Sequence, residues 1–501
     1  MQIKLHNTQS GRREVFRPQD PQRVTLYVCG PTVYGPVHIG NGRPAVVFDV
    51  LRRLLKTFYP EVVYVSNITD VDDKINAQAL ANGEPIQALA DRFSAAYNDD
   101  IKALGVLPAD VQPRATGHIA EIIAMIETLI GQGFAYEASG HVLFHVPADP
   151  DYGCLSHRSL EDMLDGARVE VAPYKHDPKD FVLWKPSASE LPGWESPWGR
   201  GRPGWHIECS AMIQTHLGTR IDIHGGGADL AFPHHENELA QSRCAHGQHD
   251  CVGYWLHNGM LTLGQEKMSK SLGNIVTIAD LRQRHDGETL RYALLSGQYR
   301  SPLVWSDELL DQSRRSLDRL YGALRGGESP EEFGAPTGPG AEKFPEEVLT
   351  ALADDLNTPG ALAALHGIAG AVNRTGDAAK AGRLRRQLKA GGWLLGLLSK
   401  SAEEHFQGGA AVPAPIDASV AFRGELVGAL EVKGSAAGAE SSAHLAVEPH
   451  SPQDIEARIA ERNQARKDRD FNRADAIRDQ LADAGIELED TRTGTRWKRA
   501  R

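Results

Sequence analysis

The hydrophobic pattern changes character several times along the chain, and each change predicts a different layer of structure. Residues 24–28 (VTLYV) form an uninterrupted apolar run that predicts a buried strand. A glycine-rich turn follows, and then RPAVVFDVLRRLLKTF (43–58), whose apolar positions recur at helical spacing. EVVYVSNITD (61–70) reads as a second strand. This β-loop-α-β order predicts an α/β fold with a Rossmann-like, doubly wound parallel sheet over 1–112. From 113 to 205 the alternation breaks. A helix over 116–131, a short strand HVLFHV and the Pro- and Trp-rich LWKPSASELPGWESPWGRGRPGW predict an inserted connective domain. Alternation returns over 206–304 with RIDIHGGG (220–227), a helix over 234–246 and YWLHNGMLTLG (254–264), the second half of the same sheet. Helical periodicity dominates 305–325 and 345–399, predicting a bundle over 305–400. A Gly/Ala/Ser/Pro-rich linker spans 401–452, and a small helical domain closes the chain over 453–501.

Composition narrows the class of protein. A chain of 501 residues calls for several domains. Apolar residues make up 41% and charged residues 24%, ordinary for a soluble protein. No run is long and apolar enough to cross a membrane, and MQIKLHNTQSGRREVF has no signal-peptide core, so a cytoplasmic protein is expected. Five cysteines without paired spacing fit a reducing compartment. The formal net charge of -12 rules out a basic footprint over the whole chain, so any nucleic acid must meet local patches.

Three stretches carry candidate chemistry. In FPHHENE (232–238), His234 and Glu238 stand four apart and share a helical face, half of a metal shell. CAHGQHDC (244–251) holds four possible ligands in eight residues; it matches no usual zinc spacing and is read as a surface loop. YVCGPTVYGPVHIGNGR (27–43) sits between strand and helix, where Gly40 and the free N–H groups can meet a phosphate and His38 can donate to it. A capping role for His38 is the plainer alternative. In EKMSKSLGN (266–274), Lys267 and Lys270 can neutralise a departing pyrophosphate, or form a solvated basic turn. DIHGGGADL (222–230) offers Gly225, Gly226 and Gly227 for close backbone approach to a planar ligand, and Asp229 for ribose hydroxyls.

HIGN followed more than two hundred residues later by KMSKS resembles the signature pair of class I aminoacyl-tRNA synthetases. YVCG, NITDVDDK, DFVLWK, RPGWHIECSAM and DIHGGGADLAFPHHENE together resemble the cysteinyl-tRNA synthetases in particular, over nearly the whole chain. One departure is Asn41, where the family pattern usually has histidine. Its NH2 group donates as the histidine would, without charge. The resemblance implies a zinc ion held by Cys29, Cys209, His234 and Glu238. It implies a cysteine pocket walled by Trp205 and lined by Thr69 and His206, for which core packing is the alternative. It further implies L-cysteine, ATP with Mg²⁺ and tRNA(Cys) as partners, and a monomer. His38, Asn41, Lys267 and Lys270 would stabilise the charge that develops in adenylate formation, with Gly40, Gly227, Asp229 and Lys270 binding ATP. Arg458, Arg462 and Arg466 recur every four residues, a stripe suited to phosphates or to solvent. With Trp497 they fall in a segment similar to the family's anticodon-reading domain. Two other outcomes stay open: a cysteine ligase acting on a small amino sugar, as in mycothiol synthesis, and a non-catalytic RNA-binding relative.

Overall fold

The computed structural model describes residues 1–157, 172–264, 266–267, 276–325, 340, 343–407, 451–491 and 494–499. Lys270 and most of the expected 401–452 linker lie outside the described residues, and of Lys267 only the backbone is described. The chain divides into two units, Met1–Ser399 and Lys400–Arg501.

The first unit is built on a four-stranded sheet in the order Val252–Asn258, Ile221–Gly227, Arg23–Val28, Glu61–Ser66. Every pairing in it is parallel. A fully parallel sheet must be covered on both faces, which is why these strands are continuous buried runs rather than alternating ones. In Arg23–Val28 five of six residues are buried. Helix Ile39–Phe58 covers one face with Val46, Val47, Val50, Leu51, Leu54 and Leu55, all buried. It begins four residues earlier than the apolar pattern indicates. His38 is the N-cap and Ile39–Asn41 form the first turn, which puts Pro44 inside the helix.

The break at 113–205 is a second, antiparallel sheet of Ala135–Ala138, His141–Phe144, Phe181–Pro186 and Gly201–Pro203. Its core residues Val142, Phe144, Leu183 and Trp184 pack in one cluster with Ile122, Met125 and Ile126 of helix Ile119–Gly131. The same cluster includes Ile207, Ala211 and Ala240 from helices Trp205–Leu217 and Glu236–His246. The insertion therefore shares its core with the two helices that carry candidate ligands. Four further helices, Asp307–Leu324, Glu346–Ala353, Thr358–Arg374 and Ala378–Leu394, make up the helical region.

The second unit packs helices Pro452–Lys467 and Phe471–Asp483 against a hairpin, Ile486–Thr491 with Gly494–Arg499. Its core is Ile455, Ile459, Ile477, Leu481, Ile486 and Trp497. Asp470 caps the second helix, accepting from the Arg473 N–H at 3.1 Å. No helix among the described residues is long and apolar enough to cross a membrane.

Candidate active site and metal cluster

The strand Arg23–Val28 connects onward to Glu61–Ser66 on one side, and Ile221–Gly227 to Val252–Asn258 on the other. The order reverses between the first and third of these, and the crevice at their carboxyl ends is where such sheets take ligands. A cavity of about 340 Å³ opens there, lined by Cys29, His38, Gly40, Asn41, Trp205, Gly227 and Asp229 among others. Seven residues singled out in the sequence thus meet in one cavity.

The HIGN turn is held from within. The side-chain oxygen of Asn41 accepts the backbone N–H of His38 at 3.2 Å. Only an oxygen can face that N–H, so the amide NH2 is the end left for a ligand. A Cβ on Gly40 would come 2.8 Å from Nδ1 of His38, so this position makes room for the imidazole. Gly225 and Gly226 serve protein packing instead of a planar ligand. Added Cβ atoms there would meet the Phe48 ring at 2.3 Å and His235 at 2.8 Å. Gly227 does reach the cavity, and its missing side chain leaves space for Asp229 Oδ1.

Beneath the cavity floor four donors converge. Cys29 leaves the first strand, Cys209 comes from helix Trp205–Leu217, and Glu238 from helix Glu236–His246. His234 lies in the wide turn Ala231–His235 just before that helix. The Cys29 and Cys209 sulfurs are 3.8 Å apart. Cys29 Sγ is 3.5 Å from Glu238 Oε1, Cys209 Sγ 3.7 Å from His234 Nε2, and His234 Nε2 2.9 Å from Glu238 Oε1. A zinc–sulfur bond of about 2.3 Å gives a tetrahedral sulfur–sulfur edge of about 3.8 Å, so the spacing suits such an ion. The charges point the same way. Burial pushes the Glu238 carboxyl and the Cys29 thiol well up. Cys209 is drawn down to about 7, first by its hydrogen bond with Cys29. Glu238 Oε2 is buried without a hydrogen-bond partner. Three acidic donors around one buried point need a cation to ionise together.

A second group of metal-capable atoms overlaps the first: Cys29, His224, His235 and Glu238. His224 Nε2 is 3.5 Å from both Cys29 Sγ and Glu238 Oε2. His235 pairs through Nδ1 with His257 Nε2 at 2.8 Å, and His257 Nδ1 with the Thr8 hydroxyl at 2.8 Å. Burial lowers His224 and His235 well below the usual range and His257 to about 4, so these rings are neutral. Sequence reasoning overlooked His224 and His257, although each stands in a quoted strand.

Two expected pocket residues stand elsewhere. Thr69 is buried and pairs through its backbone with Thr32, because the segment after Glu61–Ser66 runs alongside the loop after Cys29. His206 does not line the cavity; it sits behind His234, the two Nδ1 atoms 2.9 Å apart. Trp205 does line it, stacked on His234 and 37% exposed. In CAHGQHDC, Cys244 belongs to the core shared with the insertion and Cys251 Sγ donates to the Gln248 carbonyl. His249 faces solvent near Asp151. These four residues form none of the metal-capable groups among the described residues.

In the second unit the arginine stripe is only partly available. Arg462, almost buried, donates from both terminal nitrogens to Asp490 at 2.9 Å, and Arg466 joins the same carboxylate at 2.8 Å. Arg458 is half-exposed beside Glu461 and Gln480. Trp497 is 1% exposed, and its ring N–H donates to Glu456. It is a core residue and offers no face for a base, a correction to its expected RNA contact.

Residues 15–315 match the family model described as tRNA synthetases class I (C) catalytic domain. Residues 347–399 match the DALR domain, and 448–497 the cysteinyl-tRNA ligase anticodon binding domain. A cysteine–tRNA ligase of Xanthomonas campestris pv. campestris is 53% identical over 500 residues, covering all of both chains. The chain belongs to the cysteine–tRNA ligase family. Another member, from Rhodospirillum rubrum, is 51% identical over 500 residues, again covering all of both. Distant solved structures share the fold. The Mycobacterium tuberculosis methionyl-tRNA synthetase in complex with methionyl-adenylate superposes with a TM-score of 0.51 at 16% identity, over 77% of this chain and 93% of that one. The LeuRS–tRNA–LeuAMS ternary complex of Agrobacterium radiobacter K84 gives 0.52 at 12% identity, over 78% and 85%.

Proposed function

We propose that this enzyme joins L-cysteine to tRNA(Cys) in two steps at the cavity described above. The cysteine carboxylate attacks the α-phosphate of ATP, giving cysteinyl-adenylate and pyrophosphate. The terminal ribose hydroxyl of the tRNA then attacks the carboxyl carbon of the adenylate, forming the ester and releasing AMP. Residues 1–112 and 206–304 form the catalytic sheet, 113–205 the insertion, 305–400 the helical bundle and 453–501 the tRNA-reading domain. The protein acts as a cytoplasmic monomer.

The observation that carries this reading is that the metal-capable group Cys29, Cys209, His234 and Glu238 meets the cavity bearing the HIGN turn through one shared residue, Cys29. Two thiolates, an imidazole and a carboxylate suit zinc and favour this group over the one with a single thiolate. A zinc ion held by these four residues would lower the pKa of a bound thiol, which an alcohol of the same shape would not match. A shape pocket alone separates substrates differing by one methylene by only about 1–3 kcal/mol. The chain's own groups do the rest. Trp205 walls the amino acid. His38 and the Asn41 NH2 donate to phosphate oxygens, with Mg²⁺, Lys267 and Lys270 spreading the charge. Asp229 takes the ribose hydroxyls. On the RNA side, Arg458 and Arg466 reach phosphates, while Arg462 and Trp497 hold the domain together.

Exchange of labelled pyrophosphate into ATP, with cysteine or serine, with and without chelator, tests the reading. Exchange with cysteine alone, lost with the metal, supports it. Equal exchange with serine overturns the role given to zinc.

A further inference from the structure

Arg43 stands one turn beyond His38 on the helix of the HIGN turn, and its side chain is fully buried. Among the described residues its hydrogen-bond partners are all backbone carbonyls. Nη1 donates to Gly259 at 2.6 Å and Met260 at 3.1 Å, and Nη2 to Gln298 at 3.3 Å and Ser301 at 2.8 Å. Burial lowers this guanidinium to about 10, and no carboxylate among the described residues contributes. Burying a cation without a counter-ion is unfavourable, and an apolar side chain would fill the space at lower cost. The arginine is therefore explained by what its planar fork joins.

It joins two segments at the root of the KMSKS region. Gly259 and Met260 lead directly into strand Leu261–Leu263. That strand pairs parallel with Leu303–Trp305 and antiparallel with Glu266–Lys267, with Thr262 opposite Lys267. Segments 259–260 and 298–301 approach so closely that a Cβ on Gly259 would lie 2.4 Å from the Ser301 carbonyl oxygen. A second tie runs to the same turn. The Ile39 N–H donates to Val276 at 3.0 Å, the Ile278 N–H to Val37 at 3.1 Å, and His38 bridges Thr277.

We propose that Arg43 is a positioning residue for adenylate formation. It pins the root of the strand pair carrying Lys267 to the helix carrying His38 and Asn41, so that phosphate-binding groups from both halves of the sheet keep a fixed spacing. This rests on the reading of Lys267 as a phosphate ligand.

The test uses full-length R43M and R43K, with K267A in parallel. Three quantities are measured on each: cysteine-dependent pyrophosphate exchange, transfer from supplied cysteinyl-adenylate to tRNA, and bound zinc with Tm. A misplacement of about 1 Å costs on the order of 100-fold, so R43M should lose about that much exchange kcat while keeping transfer within about threefold and its zinc. R43K should fall between, because one ammonium cannot hold both segments. Exchange retained by R43M while K267A loses it overturns the proposal, leaving Arg43 as packing. Loss of both steps together with zinc and Tm also overturns it, showing a folding residue only. Exchange retained by K267A sinks the Lys267 reading itself, and the proposal with it.

Discussion

Trp205 lies flat against the imidazole of His234, ring centroids 4.0 Å apart and planes within 16°. One face of the indole is thus used on a candidate metal ligand, and the residue also borders the cavity. Trp205→Ala should raise KM for cysteine about 2- to 12-fold, the equivalent of an aromatic pair worth about 0.5–1.5 kcal/mol. Trp205→Phe should recover most of that. A KM for cysteine unchanged in Trp205→Ala would remove the residue from the substrate wall.

Cys209 and Glu238 are both 1% exposed, so a ligand removed from this cluster cannot be replaced by bulk water without opening the core. Cys209→Ser and His234→Ala should each lower bound zinc, measured by atomic absorption, from about one per chain to a small fraction. Cysteine-dependent exchange should fall with it, and any residual activity should distinguish cysteine from serine poorly. Full zinc with either substitution would transfer the site to the overlapping group containing His224 and His235.

His206 tests how the cluster is oriented. Ligating histidines commonly bond a partner through their second ring nitrogen, and here that partner is His206 Nδ1, 2.9 Å from His234 Nδ1. His206→Ala should weaken zinc affinity about 10- to 100-fold in a chelator competition. KM for ATP should stay at the wild-type value. An unaltered zinc affinity would reduce His206 to a packing residue.

The parts of the fold legible beforehand were those written in local periodicity. Val24–Val28, the helix over Val46–Leu55 and the strand ending in three glycines could be placed because burial on both faces leaves a continuous apolar signature. Phe181–Pro186 and Gly201–Pro203 went unread as strands, since they are short, end in proline and border a Pro- and Trp-rich stretch that masks any alternation. Helical pattern also masked the terminal hairpin. At the site, motif strings located Cys29, His38, Asn41 and Asp229 at the cavity. They could not show that Thr69 pairs through its backbone or that His206 stands behind His234, because facing depends on tertiary packing. The same holds for Arg43, whose neighbours in sequence give no sign of four carbonyls more than two hundred residues away.

Trp497 separates stability from recognition. It is buried with Ile455, Ile459 and Ile477, so Trp497→Ala should cost about 3–5 kcal/mol in the second unit. Pyrophosphate exchange, whose proposed residues all lie in the first unit, should persist while tRNA charging fails. Arg466→Ala should leave exchange and Tm nearly unchanged, raise KM for tRNA, and reduce the salt slope of binding by about one ion. A tRNA affinity and salt slope equal to wild type in Arg466→Ala would remove the stripe from the RNA contact.

Asp490 gives the second unit a pH dependence of definite sign. Hydrogen bonds from Arg462, with support from Thr495 and charge from Arg466, hold its carboxyl well below the usual carboxylate range. The unfolded chain binds the proton near pH 3.9, whereas the folded chain binds it only at lower pH. Between these values the unfolded state carries more protons, so stability rises with pH and is fully present above about pH 4. Asp490 is 43% exposed, and solvent screening limits the effect to about 1 kcal/mol or less. Hydrogen exchange of the hairpin Ile486–Thr491 and Gly494–Arg499 is the measurement. Asp490→Asn should exchange faster than wild type near pH 7, and the gap should close as pH falls below about 4. A gap that stays constant with pH would mean that the carboxylate's shape, and not its charge, holds Arg462 in place.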